Sequence, residues 1–158
     1  MNAQTATAAL LLAIAARSAA FAAEPVRLIV IVPSSQSVRN LSSGDLRRIY
    51  IGEMTRWPDG RRIVPVMMPA RSRESEAFLK HLVRMSAIDF AQEWISVVFR
   101  GRAPAPPMIA AAASAALDIV ASHPDAIAFI SDAEIPSGVH IISIDQRLPR
   151  QQKYPLSW

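Results

Sequence analysis

Residues 41–67, LSSGDLRRIYIGEMTRWPDGRRIVPVM, contain the clearest structural signals in the chain. Ser42 is a typical helix N-cap, because its hydroxyl can accept a hydrogen bond from the backbone N–H of Asp45. Asp45 can reach back towards the cap, which makes a capping box. The apolar positions that follow share one helical face: Leu46, Ile49 and Tyr50. These signals predict an amphipathic helix over 42–51.

The second half of this stretch predicts a helix stop, a turn and a strand. Gly52 can adopt the left-handed conformation that ends a helix. Trp57–Gly60, with the sequence WPDG, has the composition of a tight turn, and Ile63–Met67 is a short apolar strand candidate.

Similar patterns extend in both directions. Arg27–Val32, with the sequence RLIVIV, is a strand candidate that is continuously apolar after its arginine, as is typical of a strand buried on both faces of a sheet. Ser72 can cap a helix that runs to about Met85. Ser86 opens a second capping box, and its helix ends near Gly101.

Towards the end of the chain, Met108–Ser122 is rich in alanine and predicts a helix that stops at His123-Pro124. Ala126–Ile130 and Val139–Ile144 are two further strand candidates. The predicted order β-α-β-α-α-α-β-β indicates an α/β domain with a mainly parallel sheet flanked by helices.

Composition limits the classes of function. The chain has 158 residues, which suggests one domain, and 51% of them are hydrophobic, enough for a core. Cysteine is absent, so disulfides and thiolate metal sites are excluded. The net charge is +4, but the basic residues form no continuous stripe with interleaved aromatics. We therefore expect no nucleic-acid partner.

The N-terminus predicts export. Residues 1–23 resemble a signal peptide, with an apolar run at Ala8–Ala16 and a small-x-small cleavage pattern at Ala20–Ala22. The only basic residue of this segment, Arg17, follows the apolar run instead of preceding it. An uncleaved hydrophobic helix and a misplaced start codon are the alternatives. A domain at 24–145 would follow, then an irregular tail at 146–158 in which Trp158 has no evident partner.

The stretch at 41–67 resembles the "lt…l..If.G…tW.dG..i.pv" signature of the phosphate-type periplasmic substrate-binding proteins. Nine positions match: Leu41, Leu46, Ile49, Tyr50, Gly52, Trp57, Gly60, Pro65 and Val66. The wider resemblance runs from about Val26 to Ile144. It implies one lobe of the type 2 periplasmic-binding-protein fold, located in the periplasm. A complete member closes two lobes on its ligand, so a buried anion site here would need a second chain.

Two loops are candidates for binding a small oxyanion. Pro33–Ser37 and Ala70–Ser75 each follow a predicted strand, and the carboxyl ends of strands are where α/β sheets usually bind ligands. Free N–H groups at a helix N-terminus also attract anions. In the first loop, Ser34 and Ser35 are the expected contacts, and they would close the far side of a site centred on the second loop. The alternative is an ordinary polar turn.

The resemblance implies a more specific site in the second loop, where phosphate-binding relatives carry a Ser-Gly-Thr turn. Ser72 matches the serine, but Arg73 replaces the glycine and Glu74 replaces the threonine. The arginine side chain limits close approach of the backbone, and the carboxylate repels an anion unless Arg71 or Arg73 offsets it. Ser72, Arg71 and Arg73 are the predicted ligand contacts. The alternatives are a helix cap and solvated surface charge.

Other chemistry lacks a motif. The three histidines, His81, His123 and His140, have no metal-ligand spacing, so no metal and no cofactor are expected. There is no GxSxG nucleophile elbow. A hydrolase has no specific support, and the sequence predicts a protein that is not an enzyme.

Two functional hypotheses remain. The first is an exported, non-enzymatic binding protein that resembles the substrate-binding component of a phosphate ABC transporter and binds phosphate or a similar oxyanion at helix N-termini. The second is an envelope protein–protein interaction module that has lost the anion site, such as an accessory to a membrane transporter. A homodimer could rebuild a two-lobed cleft, so oligomeric state separates the two hypotheses.

Overall fold

A computed structural model describes residues 25–131 and 135–158, so the predicted signal peptide at 1–23 lies outside the described residues. Within these described residues the strands are β1 (Leu28–Pro33), β2 (Asn40–Leu41), β3 (Val64–Met67), β4 (Met108–Ile109), β5 (Ala126–Ser131) and β6 (Val139–Ile144). Together they form one sheet in the order β2-β6-β1-β5-β3-β4. The helices are α1 (Ser43–Tyr50), α2 (Arg73–Phe78), α3 (Ala87–Phe99) and α4 (Ala113–Ser122), and a π-helical turn, Leu79–Val83, follows α2.

The sheet is mostly parallel, as predicted, and β1 is the exception. β1 pairs antiparallel with β5 on one side and with β6 on the other, with Val30 opposite Phe129 and Ile142. The β2–β6, β3–β5 and β3–β4 pairs are parallel. The five other strands therefore share one direction. The carboxyl end of β1 lies at the end of the sheet where those strands begin.

Both faces of the sheet are buried. All six residues of β1 are buried, and the first five alternate between two apolar clusters. Leu28, Val30 and Val32 belong to the cluster that includes residues of α1, α2, α3 and the C-terminal segment, while Ile29 and Ile31 pack towards α4. This arrangement explains why β1 reads as a continuous apolar run instead of an alternating one.

The signals around α1 are confirmed. The Ser42 hydroxyl accepts a hydrogen bond from the Asp45 N–H at 2.9 Å, and it also donates to the Asp45 carboxylate at 2.8 Å. The Asp45 carboxylate therefore contacts the hydroxyl group of the cap residue, Ser42. Gly52 has a φ of +71°, the left-handed conformation expected at a helix stop. A Cβ atom at Gly52 would lie 2.7 Å from a methyl carbon of Val97, so α3 packs directly on this glycine.

Two predicted helices differ from the structure. The helix expected from Ser72 to about Met85 is α-helical only over Arg73–Phe78, continues as the π-helical turn, and ends at Arg84 with a φ of +60°. The helix expected at Met108–Ser122 begins only at Ala113, because the residues before it pair with β3 as β4. Tertiary hydrogen bonding to an open strand edge outweighs the local helix preference there.

The segment 146–158 has no helix or strand of its own, but it packs on the core. Tyr154 and Leu156 are buried, and the backbone of Trp158 exchanges hydrogen bonds with Val26 at 2.7 and 3.0 Å. The Trp158 indole stacks on His81 with ring centroids 4.8 Å apart. Across the described part of the chain, no helix is long and apolar enough to cross a membrane.

Candidate functional site

The carboxyl ends of β3 and β5 lie next to the loop that carries three of the predicted anion contacts, Arg71, Ser72 and Arg73. β3 ends at Met67, and the chain turns through Pro69 before α2 begins, with the Ser72 N–H donating to the Pro69 carbonyl at 2.8 Å. The buried Ser75 hydroxyl donates to the Met68 carbonyl at 2.8 Å. This internal bond fixes the start of α2 against the end of β3.

Ser72 is the N-cap of α2. Its hydroxyl accepts from the Ser75 N–H at 3.1 Å, and its carbonyl accepts from the Glu76 N–H at 2.9 Å. Ser72 is half-buried. Capping alone accounts for this geometry, and α2 has only six residues to support a helix-terminus field.

Glu74 occupies the position of the threonine in the Ser-Gly-Thr turn implied by the resemblance. Its carboxylate accepts a hydrogen bond from the Ser131 hydroxyl at 2.7 Å, which ties the start of α2 to the end of β5. Both residues are half-buried. A carboxylate held at this edge repels an oxyanion, because like charges about 4 Å apart near a protein surface interact unfavourably by about 4 kcal/mol at an effective dielectric constant of about 20.

Arg71 and Arg73 flank Ser72 in sequence, and both are exposed. Arg71 has no hydrogen-bond or ion-pair partner among the residues that the structure describes, whereas Arg73 does have a partner. Arg71 is therefore the cation of this loop that can reach a ligand without first giving up an existing contact.

The structure separates Ser34 and Ser35 from the other predicted contacts. They follow Pro33, which is the last residue of β1 and is paired with Val139, the first residue of β6. The Ser34 N–H donates to the Gly138 carbonyl at 2.8 Å. Because β1 is antiparallel to its neighbours, its carboxyl end lies beside the amino ends of the other strands. This loop and Ser72 therefore lie at opposite ends of the strands. The expectation that Ser34 and Ser35 close the far side of that site is wrong.

The histidines lie in three separate places. His81 stacks on Trp158, His123 lies at the end of α4 within 3.0 Å of the Ile119 carbonyl, and His140 lies in β6. Within the described residues, no group of three or more His, Asp or Glu side chains could hold a metal ion.

The outer face of α3 is a feature that the sequence analysis did not identify as functional. Phe90, Trp94 and Val97 are buried in the core. Three large apolar side chains of the same helix are exposed instead: Ile88 (71%), Ile95 (70%) and Phe99 (91%). At about 100° per residue, the apolar residues of α3 cover an arc of roughly 200°, of which the core uses only about a third.

An apolar groove, here called the α3 groove, runs along this helix. It has a volume of about 650 Å³. Its most buried lining residues are Met67, Leu79 and Trp94, and Phe99 and Ile109 line it closer to solvent. A second groove of about 870 Å³ adjoins it. It is here called the basic groove because three cations line it, Arg71, Lys80 and Arg84.

The two grooves share three lining residues, Ala70, Leu79 and Ala87. The apolar surface is therefore continuous with the loop that carries Arg71. The signal for it was present in the sequence: isoleucines and a phenylalanine recur on the side of the 87–99 helix away from Phe90 and Trp94.

Comparisons with known proteins give matches only among solved structures; no protein-family model and no curated protein matches the chain. An ABC-type phosphate transport receptor from Vibrio cholerae is 22% identical, with a TM-score of 0.68 over 85% of this chain and 54% of that one. A putative phosphate ABC transporter substrate-binding protein from Clostridium perfringens, with bound phosphate, is 18% identical with the same TM-score, covering 85% and 53% of the two chains.

PstS from Borrelia burgdorferi gives the same picture, at 16% identity, a TM-score of 0.68, and coverage of 85% of this chain and 55% of that one. The chain thus spans about half the length of the solved structures that it matches. At these identities the likeness establishes the fold. This chain has the fold of one lobe of the phosphate-type, type 2 periplasmic substrate-binding proteins.

Proposed function

We propose that this protein is an exported, non-enzymatic binding module of the periplasm, which uses one lobe of a substrate-binding-protein fold to bind another protein. In this proposal, residues 1–23 are a signal peptide, and the oxyanion site of the fold has been lost. The observation that carries the proposal is the outer apolar face of α3, where Phe99 is 91% exposed. Loss of the anion site is supported by the Glu74 carboxylate, which accepts a hydrogen bond from Ser131 at 2.7 Å where the resemblance implies a phosphate.

Two physical arguments support loss of the anion site. Glu74 adds a negative charge where the implied turn has a neutral hydroxyl, and Arg73 adds a side chain where the implied turn has a glycine.

A second candidate function is weak binding of phosphate or a similar oxyanion, as in a phosphate ABC transporter substrate-binding component. The observation that favours it is Arg71, an exposed cation without an ion-pair partner among the described residues, next to the Ser72 cap. The Vibrio cholerae receptor and the Clostridium perfringens protein, with its bound phosphate, support the same ligand class. A homodimer that rebuilds a two-lobed cleft would strengthen such a site.

Isothermal titration calorimetry with phosphate and sulfate tests the proposal. We expect no saturable heat from the folded protein up to millimolar anion. The matched variant is Arg73→Gly/Glu74→Thr, which restores the Ser-Gly-Thr turn and should gain phosphate binding in the millimolar range.

Micromolar phosphate binding by the unmodified protein would overturn the proposal in favour of the second candidate. In that case Ser72→Ala and Arg71→Ala should each weaken binding. Analytical ultracentrifugation of the same sample, with and without phosphate, would then show whether the affinity requires a dimer.

A further inference from the structure

The α3 groove and the basic groove form one surface with an apolar part and a charged part. We infer that this surface binds an amphipathic helix of a partner protein, whose apolar face fills the α3 groove while acidic residues at one end contact Arg71, Lys80 and Arg84. The inference rests on the proposed function and deepens it, since it specifies the surface and the chemistry of the partner.

The apolar part of the surface calls for an apolar partner. Soluble proteins rarely expose several large apolar side chains together unless they form a binding site. Phe99 is 91% exposed, and Ile95 and Ile109, which line the same groove, are 70% and 58% exposed. Removal of apolar surface from water is favourable in proportion to its area, so a partner that covers these three side chains gains affinity.

The shape of the surface favours a helix over an extended strand. The α3 helix has 13 residues, so the groove beside it is about 20 Å long and accommodates about three turns of a second helix. Strand addition at β4 is a poor alternative, because that strand has only two residues. Pro106 and Pro107 immediately precede it and have no N–H group to donate.

The charge of the surface favours an acidic end on the partner helix. Arg71, Lys80 and Arg84 line the basic groove, and no described residue forms an ion pair with any of them. Glu76 and Asp89 also line it, and Asp89 accepts a hydrogen bond from the Ser86 hydroxyl at 2.7 Å. The three cations outnumber the two carboxylates, so this groove carries an excess of positive charge.

The test is selection of helix-forming 16-residue peptides from a display library against the full-length protein, followed by titration of the selected peptides. We expect apolar residues at i, i+4 and i+7 and glutamates at one end. Ile95→Asp and Phe99→Asp should each weaken binding at least tenfold. The matched control is Leu148→Asp, which also replaces an exposed apolar side chain by an acidic one. Leu148 is 49% exposed and lies outside both grooves.

The charged part has its own test. Lys80→Glu/Arg84→Glu should weaken binding of the acidic peptides at least tenfold, and replacing the glutamates of a peptide by glutamines should abolish the difference between the two protein forms. Circular dichroism of each variant verifies that it is folded. All altered side chains except the control line one of the two grooves, so a folded variant reports on the surface itself.

Several results would overturn the inference. One is the selection of peptides that lack acidic residues. Another is that Phe99→Asp leaves the affinity of the selected peptides unchanged. A dimer that Phe99→Asp dissociates would show that a second copy covers the groove, and sedimentation with phosphatidylglycerol vesicles that Phe99→Asp abolishes would show that a membrane does. Micromolar phosphate binding would instead contradict the proposed function, and it is read in a separate titration.

Discussion

Tyr50 and Tyr154 allow one prediction to be worked out from the structure with an internal control. Both rings lie in the same apolar cluster and both are buried, with exposures of 0% and 4%. The Tyr50 hydroxyl lies 2.9 Å from the Val66 carbonyl and 3.2 Å from the Ile127 carbonyl, so it links α1 to β3 and β5. The Tyr154 hydroxyl has no hydrogen-bond partner in the described structure.

The same change, removal of one phenolic oxygen, should therefore have different effects at the two sites. Tyr50→Phe loses a hydrogen bond with a net contribution of about 1 kcal/mol and leaves buried carbonyls without that donor, at a cost of about 1–3 kcal/mol. We expect a loss of about 2 kcal/mol in the free energy of unfolding. Tyr154→Phe removes a hydroxyl that is buried without a partner, so it should be neutral or stabilise the protein by up to about 1 kcal/mol.

Urea denaturation followed by tryptophan fluorescence measures both values, with the m-value checked for constancy. At about 2–4 °C per kcal/mol for a chain of this size, the melting temperature of Tyr50→Phe should fall by about 4–8 °C. Equal losses in the two variants, or a larger loss for Tyr154→Phe, would refute the assignment of the hydrogen bonds at Tyr50.

Three further predictions follow from the same structure. Gly52→Ala should lower the free energy of unfolding by more than Gly60→Ala. Both glycines have positive φ, but of the two only Gly52 has a neighbour within reach of a Cβ, a methyl group of Val97. Adding Val97→Ala to Gly52→Ala removes that methyl group and should restore part of the loss, as measured by urea denaturation. Ser86→Ala should cost about 1 kcal/mol in the same assay through loss of the α3 cap. Burial raises the pKa of both buried tyrosines above their ordinary value of 10.0, so their contribution to stability should be fully present below about pH 10 and be lost as pH rises further. Either Tyr→Phe change should make that loss shallower in urea titrations from pH 8 to 11.

The parts of the fold that were predicted correctly depend on local chemistry. The Ser42 cap, the Gly52 stop and the apolar run of β1 each follow from residues within one or two turns of the position concerned. Such signals act within a few residues of chain, so they survive whatever the rest of the fold does. The same holds for α3, whose start is fixed by Ser86.

The parts that were not predicted depend on distant residues. Met108 and Ile109 form a strand because Val66 and Met67 offer an open edge about forty positions earlier in the chain. Alanines favour a helix by intrinsic propensity, but a free strand edge supplies backbone partners that the helix start cannot. Trp158 likewise finds His81 and Val26 only after folding.

The predicted site failed in one respect for a similar reason. The direction of a strand in a sheet is not encoded in its own pattern, and an apolar run such as β1 is compatible with either direction. Placing Ser34 and Ser35 next to Ser72 required β1 to be parallel to β3. Each loop was a reasonable candidate when considered alone, whereas their combination depended on topology.

The loop at Ala70–Ser75 and the α3 groove are parts of one structural unit. α2, the π-helical turn and α3 follow one another in the chain, and Ala70, Leu79 and Ala87 line both grooves. Ser75 locks the start of this unit to β3, and Glu74 locks it to β5. The Glu74 contact that disfavours an anion therefore also anchors the unit that carries the outer apolar face of α3.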